Sequence, residues 1–272
     1  MQRRLFTDFL KILIPFLLLW VGFAYLPVFK GGAGDLISVE REEALGDKVV
    51  NTLFEETGML EELEDKKVKG AIRRIEGRLV EEVGLTDYEY NVRIIESEKV
   101  NAFTLPGGHI IVCSGLIEFA QDPEEVASVL AHEIGHVEKR HVIDRLVREI
   151  GKGTLFSVMG GSAGSSVAKN ILTNSISAGF NRQQEREADD YALRLLEKSR
   201  IAPKNMGELF KRLREKKYDG TANLVFLKSH PDINSRIKKA EQYQTGPDFE
   251  TDPFKMDWEA VQKRLKEENE EK

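Results

Sequence analysis

The chain has 272 residues, which is enough for one sizeable domain with appendages. Charged residues make up 32% of it and hydrophobic residues 41%, an ordinary globular mixture with a polar bias. The net charge is −6 and the sequence has no long lysine or arginine run, so we expect no nucleic-acid surface. Cys113 is the single cysteine, which excludes a disulfide framework and a cysteine zinc cage. Any metal must therefore be held by histidine and carboxylate side chains.

The N-terminus predicts a membrane anchor. Residues 12–29 read ILIPFLLLWVGFAYLPVF without a charge, and as a helix they would extend about 27 Å, close to the hydrocarbon thickness of a bilayer. Because Arg3, Arg4 and Lys11 precede this run, the positive-inside rule places the N-terminus in the cytoplasm and the rest of the chain across the membrane. The alternative is a cleaved signal peptide, but its apolar run is usually about 7–15 residues and ends at an A-x-A-like site. Only a weak GGAG follows here, so we expect residues 1–30 to be retained.

The elements that follow are predicted from periodicity. The segment KGGAGD (30–35) is typical of a short linker. Residues 38–58 and 61–83 have a helical spacing of apolar side chains, whereas residues 88–97 alternate and predict a strand. Two apolar runs around the PGG at 106–108 predict a hairpin.

The strongest helix signal begins at Asp122. This residue can cap the helix, Pro123 suits its first position, and Glu125 completes a capping box. Apolar residues then recur at helical spacing, at Val126, Val129, Leu130 and Ile134. The sequence HEIGH (132–136) therefore lies on this helix, one to two turns after its start.

Beyond this helix, residues 151–166 are rich in glycine and serine and predict an irregular loop. Further helices are predicted at about 182–198, at 232–243 and at 257–268, with a shorter one after Pro203. The expected organisation is the N-terminal anchor, a domain at 31–245 and a charged C-terminal tail at 246–272 that contains the last short helix. The fold class is α+β, mostly helical with a small sheet beside the HEIGH helix.

The HEIGH sequence has the spacing of a catalytic metal site. Because residues four apart share one face of a helix, His132 and His136 can direct two nitrogens at one ion, and histidine suits zinc. Glu133, directly after the first histidine, can reach a water molecule beside the metal and act as the general base. A chance match on a polar, histidine-rich helix is the alternative interpretation.

A later helix offers the third ligand that a catalytic zinc needs. Within FNRQQEREADDYALRLL (180–196), Glu185 and Asp189 lie four apart on one face. Glu185 could bind the metal, and Asp189 could accept the free N–H of a ligand histidine and so fix its ring. The alternative is an ordinary solvated face of charged side chains, formed by Glu185, Glu187, Asp190, Arg182, Arg186 and Arg194.

HEIGH followed 49 residues later by EREAD resembles the gluzincin arrangement, and specifically the HtpX and CAAX-prenyl-protease family of membrane-associated zinc metallopeptidases. NAFTLPGGHIIVCSGLI (101–117) is similar to the strand and hairpin of that family. Arg182 matches an arginine of the second motif, and SHPDINSRI (229–237) is similar to its His-Pro segment. The resemblance covers residues 40–243 in order.

The resemblance implies a zincin-like protease domain with one zinc ion per chain. It implies that His132, His136 and Glu185 are the zinc ligands and that Glu133 is the base. Asp189 would orient a ligand histidine, identified here as His132. The resemblance further implies that His230 is near the metal, as an oxyanion partner or as a gate, and that Arg236 contacts the second motif or a substrate carbonyl.

Some positions depart from the family pattern. Asn181 stands where a serine is usual, Asp232 stands where a second proline is common, and one membrane span is found instead of several. A prenylated substrate is therefore disfavoured. The single-domain extracytoplasmic members, which clear misfolded envelope proteins, are favoured, with the protein in the bacterial inner membrane and its catalytic domain on the periplasmic side. We interpret His109, His141 and Cys113 as structural, with His141 near a carboxylate.

The predicted function is a membrane-anchored zinc metalloendopeptidase that hydrolyses unfolded or extended polypeptides in envelope quality control. Such substrates would pair with the strand edge near 101–104. One alternative is a membrane-tethered chaperone or assembly factor that keeps the zinc fold with little proteolysis. A second alternative is a helical scaffold without metal.

Overall fold

The computed structural model describes residues 37–151, 179–219 and 225–270. The predicted membrane span at 12–29 and nearly all of the predicted loop at 151–166 lie outside these residues. Within the described ranges, no helix combines the length and the apolar character that crossing a membrane requires.

The described elements are mostly helical, as predicted, with one small sheet. The helices are α1 (Val39–Asn51), which continues into a π-helical turn (Thr52–Glu56), α2 (Lys66–Val83), α3 (Ser114–Phe119), α4 (Pro123–Glu138), α5 (His141–Ile150), α6 (Arg182–Lys198), α7 (Lys204–Asp219), α8 (Phe226–Ser229), α9 (Ile233–Gln242) and α10 (Trp258–Glu270). The strands are β1 (Asn91–Ile95), β2 (Ala102–Thr104) and β3 (His109–Cys113).

The three strands form one sheet in the order β1-β3-β2. Strands β2 and β3 are antiparallel, which confirms the predicted hairpin, and β1 runs parallel to β3. Gly107 and Gly108 have φ values of 74° and 82°, a conformation that side chains disfavour. A Cβ atom at Gly108 would lie 2.4 Å from the carbonyl oxygen of Glu89, so the turn also needs glycine for close packing.

Successive residues of β3 face two different parts of the core, because side chains alternate across a strand. Ile110 and Val112 pack in a large cluster with residues of α2, α4, α6 and α7. Ile111 and Cys113 pack on the opposite face of the sheet with residues of α1 and α5. The hairpin is therefore buried on both faces beside the HEIGH helix.

The helix predicted at 61–83 begins later than expected. Its first residue is Lys66, and the side chain of Asp65 caps it by accepting hydrogen bonds from the backbone N–H groups of Lys67 and Val68. Glu62 instead pairs with Ile95 at the end of β1 as an isolated antiparallel bridge. Helical periodicity did not reveal this because the pairing partner is distant in sequence.

The helix after Pro203 is longer than predicted, since α7 has 16 residues. The last helix, α10, belongs to the main core. Trp258 and Leu265 are buried in the same cluster as the residues of α4, and the indole Nε1 of Trp258 donates a hydrogen bond to the carbonyl of Ala120. Burying one aromatic ring of this kind contributes roughly 2–3 kcal/mol to folding.

Glu76 is a half-buried carboxyl group outside the histidine-rich region of the core. Glu76 lines a cavity of about 400 Å³ between α2 and β1, and it accepts a hydrogen bond from the backbone N–H of Val92. Burial raises the pKa of Glu76 from its usual 4.5 to about 7, although Val92 and the charge of Arg73 oppose the shift. The folded protein thus holds this proton more tightly than the unfolded chain does.

We expect Glu76→Gln to stabilise the protein at pH 8 and to have little effect at pH 5. Between pH 4.5 and 7 the folded state binds the extra proton, so the stability contributed by Glu76 falls as the pH rises through this window. The gain at pH 8 should be about 1 kcal/mol, less than full linkage implies because Glu76 is only partly buried. Urea unfolding at both pH values measures it. Glu81→Gln, at an exposed position of the same helix, is the matched control, and an equal response of the two variants would contradict the assignment.

Candidate metal centre

Helix α4 carries the HEIGH sequence through the middle of the core. Asp122 caps this helix by accepting a hydrogen bond from the backbone N–H of Glu125, as predicted. The reciprocal half of the capping box differs from the prediction, because the Glu125 side chain accepts from the backbone N–H of Gln121 and not from that of Asp122. Glu125 also forms an ion pair with Arg212 of α7, which tethers its carboxylate.

Helix α6 lies against α4 with little space between the two backbones. A Cβ atom at Gly135 would lie 2.9 Å from the carbonyl oxygen of Ala188, so only glycine allows this approach. Asn181 starts α6 with a complete capping box that includes Gln184. Glu185, on the first turn that follows, is thereby directed at the face of α4 that carries the two histidines.

Four side chains converge in the space between these helices: His132, His136, Glu185 and His230. Each offers one ligand atom, and these atoms all lie within 4.8 Å of one another. The two Nε2 atoms of His132 and His136 are 3.0 Å apart, and Glu185 Oε1 lies 3.4 Å from His136 Nε2. His230 Nδ1 lies 3.0 Å from Glu185 Oε1 and 3.1 Å from His132 Nε2. All four residues are buried, so this is a group able to hold a metal ion away from solvent.

The distances in this group suit a small cation. A tetrahedral zinc site with bonds of about 2.0–2.1 Å places neighbouring ligand atoms about 3.3 Å apart. Neighbouring atoms in the group are 3.0–3.6 Å apart, around this value, and all of the ligand atoms lie within 4.8 Å of one another. Oε2 of Glu185 is buried and faces Nη1 of Arg236 at 3.1 Å, so its charge is already partly offset within the protein. A positive ion in the group would bind the inward-facing nitrogens and the carboxylate together.

His132 is supported by an ion pair behind it. Its Nδ1 lies 2.9 Å from Oδ1 of Asp189, which leaves Nε2 to face the group. Arg236 of α9 donates to both oxygens of Asp189, and its Nη1 lies 3.1 Å from Oε2 of Glu185. The guanidinium packs over the ring of Phe210 at 4.2 Å from the ring centroid. Arg236 therefore offsets the charges of two buried carboxylates, Asp189 and Glu185.

His136 is held by different neighbours. The ring of Phe180 stacks on it, with centroids 3.7 Å apart and planes 20° from parallel. Its Nδ1 lies 2.9 Å from Nδ1 of His141, whose Nε2 lies 3.1 Å from Oε2 of Glu187. His141 is thus near a carboxylate, as expected. It is the first residue of α5, since α4 ends at Glu138.

Glu133 lies beside the four-residue group and is fully buried. The hydroxyl of Thr104 on β2 donates a hydrogen bond of 2.7 Å to its Oε2. Its Oε1 lies 3.5 Å from Nε2 of His230 and has no hydrogen-bond partner among the described residues. One carboxylate oxygen is therefore held by Thr104, and the other could accept a proton.

Burial and charge set the protonation states around the site. Burial lowers the pKa of His132 and, further, that of His136, which keeps both imidazoles neutral. Burial alone would raise the pKa of Glu185, but its neighbours His230 and Arg236 outweigh burial and hold the pKa well below its usual range. Asp189 is similar, since the charge of Arg236 and the hydrogen bond from His132 overcome burial and lower its pKa. Glu185 and Asp189 are thus ionised beside the neutral rings of His132 and His136, as metal binding requires.

The structure brings together the six residues singled out as ligands, base, orienting carboxylate and gate: His132, His136, Glu185, Glu133, Asp189 and His230. Glu185 is 2% exposed, which is incompatible with the alternative of a solvated face. Glu187 and Asp190 do lie toward the surface of α6. His109 lies apart from the site, 3.0 Å from Asp47, and Arg182 is exposed on the first turn of α6.

The sequence did not predict three contacts of the site: Thr104 with Glu133, Phe180 with His136, and His141 with His136. The first two carry no signal as single residues, because their contacts arise from chain segments distant in sequence. For the third contact, the sequence shows a histidine five residues after His136 but does not indicate that the two rings meet.

A sequence model described as Peptidase family M48 matches residues 66–244. Among curated proteins, the beta-barrel assembly-enhancing protease of Escherichia coli is 26% identical over 227 residues, which cover 79% of this chain and 46% of that protein. The mitochondrial metalloendopeptidase OMA1 of Schizosaccharomyces pombe is 25% identical over 174 residues, 63% of this chain and 52% of its own length. The protein of that name in Arabidopsis thaliana is 26% identical over 222 residues, 82% of this chain and 45% of its own length. The chain spans about half the length of the curated relatives it matches.

Proposed function

We infer the function from one premise, that the chain belongs to peptidase family M48, whose model matches well over half of it. Its members are metallopeptidases, and the buried group of His132, His136, Glu185 and His230 is the observation that carries this function in the present chain. We propose that the chain is a zinc-dependent metalloendopeptidase that hydrolyses peptide bonds in unfolded or extended polypeptides.

The proposed metal is one zinc ion per chain, held by His132, His136 and Glu185. Two imidazoles and a carboxylate are a common ligand set of catalytic zinc. When bound, zinc would polarise the scissile carbonyl group and make water more acidic. Asp189 keeps the proton of His132 on Nδ1, away from the metal side, and Arg236 keeps Asp189 ionised.

Glu133 is the proposed general base. Thr104 fixes one of its oxygens, so the other is oriented toward the centre of the site. In the proposed reaction, water attacks the carbonyl carbon while Glu133 takes its proton. Glu133 then delivers that proton to the nitrogen of the leaving amine as the C–N bond breaks.

The outer edge of β2 is the proposed place for an extended substrate. Ala102 and Thr104 are 0% and 2% exposed, so this edge must be uncovered before a peptide can pair with it. The backbone N–H of Leu105 donates to His109, and the carbonyl of Asn101 accepts from Cys113, so these residues direct their backbone groups at β3. Because the direction alternates along an antiparallel strand, Ala102 and Thr104 direct theirs at the opposite edge. The side chain of Thr104 also contacts Glu133, so a peptide paired with this edge would run beside the base. Such backbone pairing demands little of the substrate's sequence.

Quality control of envelope proteins is the proposed biological role. One relative is named for enhancing β-barrel assembly and another as a mitochondrial metalloendopeptidase. A tethered chaperone or assembly factor is the second candidate, and one observation favours it. His230 stands among the ligand atoms, so the site offers four protein donors and all four are buried. A metal site closed by four protein ligands is typical of structural sites and not of catalytic ones.

We propose that residues 1–30 anchor the protein in the bacterial inner membrane and that the domain from residue 31 lies on the periplasmic side. A chain that begins at Gly31 should then be released from the membrane fraction without detergent and should still bind zinc and cleave unfolded casein. Fractionation and a casein assay measure the two properties. Zinc binding with complete loss of cleavage would mean that the N-terminal segment does more than tether the domain.

Replacing Glu133 with glutamine should abolish hydrolysis and keep the metal. Glutamine preserves the size and the hydrogen bond from Thr104 but cannot take a proton at neutral pH. We expect cleavage of casein to fall by at least about two powers of ten, the low end of what a positioned base contributes.

The matched variant is His136→Ala, which should lose both zinc and activity. Elemental analysis of the two purified variants separates the two roles. Loss of zinc from the Glu133→Gln protein would identify Glu133 as a ligand, and retained cleavage would place the chemistry elsewhere.

His230→Ala should raise proteolysis, because the proximity of His230 Nδ1 to the other donors supports a gate that fills the open position at rest. Cleavage of casein and of the chain itself measures this change. The double variant with Glu133→Gln should be inactive, which excludes a contaminating protease. If His230 instead stabilises the oxyanion, the single change should lower turnover by about two to three powers of ten. An unchanged rate would leave the histidine structural.

A further inference from the structure

The two ligand histidines of α4 are supported in different ways. Asp189 contacts His132 directly and is itself fully buried between α6 and α9. Among the described residues, the outer nitrogen of His136 contacts no carboxylate. It contacts His141, which in turn reaches Glu187 at the protein surface. We propose that His141 is a positioning residue for the metal, and that His141 and Glu187 together set the protonated nitrogen and the ring plane of His136 and hence the metal affinity. This inference rests on the zinc site proposed above.

If Nε2 of His136 binds the metal, the direction of each hydrogen bond from His136 to Glu187 follows. Nε2 of His136 faces His132 and Glu185, so as a ligand atom it carries no proton. The proton of this neutral ring is then on Nδ1, which donates to Nδ1 of His141 at 2.9 Å. His141 must accept there, so its own proton is on Nε2. That nitrogen donates to Oε2 of Glu187 at 3.1 Å.

This contact requires the break between α4 and α5. On a continuous helix, residues five apart point about 140° away from each other, so His136 and His141 could not meet. Arg140 adopts a left-handed conformation with φ of 54°, which ends α4 and turns the chain back. The carbonyl of Ile37 accepts from Nη2 of Arg140, and Glu42 forms an ion pair with the same nitrogen at 2.9 Å. The turn that presents His141 to His136 is therefore held in place by contacts outside the site.

The contacts from His136 through His141 to Glu187 form a relay, and its outer end at Glu187 is held by a further contact. The second oxygen of Glu187 accepts a hydrogen bond of 2.8 Å from the side chain of Gln183, one turn earlier on α6. Glu187 thus accepts a hydrogen bond at each of its two oxygens, from His141 and from Gln183, although its side chain is 42% exposed.

Zinc affinity of the full-length protein in detergent, measured by competition with a chelator, tests the proposal. His141→Phe keeps a buried ring and removes the acceptor, so it should weaken zinc binding about 10- to 100-fold, the usual effect of removing such support. His141→Asn places its oxygen near the former Nδ1 and should restore most of the affinity. Unfolding of the metal-free proteins should differ little. Equal losses of affinity in the two variants, or no loss in His141→Phe, would overturn the proposal.

Two variants at surface positions of α6 test the proposal if His141→Phe fails to fold. Glu187→Gln removes one carboxylate charge from α6 at the end of the His136–His141–Glu187 contacts, and Asp190→Asn removes one from the same helix, where Asp190 pairs with Lys239. We expect weaker zinc binding in the first variant alone, and equal affinities would contradict the relay. His136→Ala supplies the blank. If the unaltered protein itself binds no zinc, the proposed function fails first, so the two failures are distinguishable.

Discussion

The structure depends on four electron-rich atoms, within 4.8 Å of one another, being held in a core without solvent. With the outer nitrogens of His132 and His136 engaged as donors, their lone pairs face each other at 3.0 Å. Such a group is stable only beside positive charge. Arg236 provides part of this charge, and because it is itself fully buried it depends on Asp189 and Glu185 in return. The ligands and the ion pair behind them form one electrostatic unit, and removing a single member would leave a buried charge without compensation.

The surrounding fold meets this constraint by bringing two rigid helices unusually close. Gly135 allows the backbone of α4 to approach α6, so short side chains such as Asp189 reach across without strain. The buried hairpin packs beside α4, and its Thr104 contacts Glu133. A site carried on helices and a doubly buried strand is more rigid than one carried on loops, which suits groups that must keep their relative positions within about half an ångström.

Much of this site could be predicted from the sequence, because local periodicity encodes it. A four-residue spacing on a helix determines that His132 and His136 share a face, and the same rule places Glu185 and Asp189 together. The position of His230 followed only from a family resemblance, because a lone histidine carries no spacing signal. The contact of His141 with His136 could not be predicted, since the left-handed conformation of Arg140 has no local signature such as glycine. The bridge between Glu62 and Ile95 also has no local signal, because the two residues are distant in sequence, and so the sequence predicts a helix there.

The conformation of Arg140 links the site to the start of the described chain. A left-handed residue with a side chain costs about 1–2 kcal/mol relative to glycine. Glu42 of α1 offsets this cost by accepting two hydrogen bonds from the guanidinium, at 3.2 and 2.9 Å. Glycine at position 140 would relieve the strain but would lose this connection, so the arginine is better explained as a tie between α1 and the turn before His141. Helix α1 follows the segment predicted to be the anchor. The first helix of the described structure is therefore also the one that holds the turn supporting the metal ligand His136.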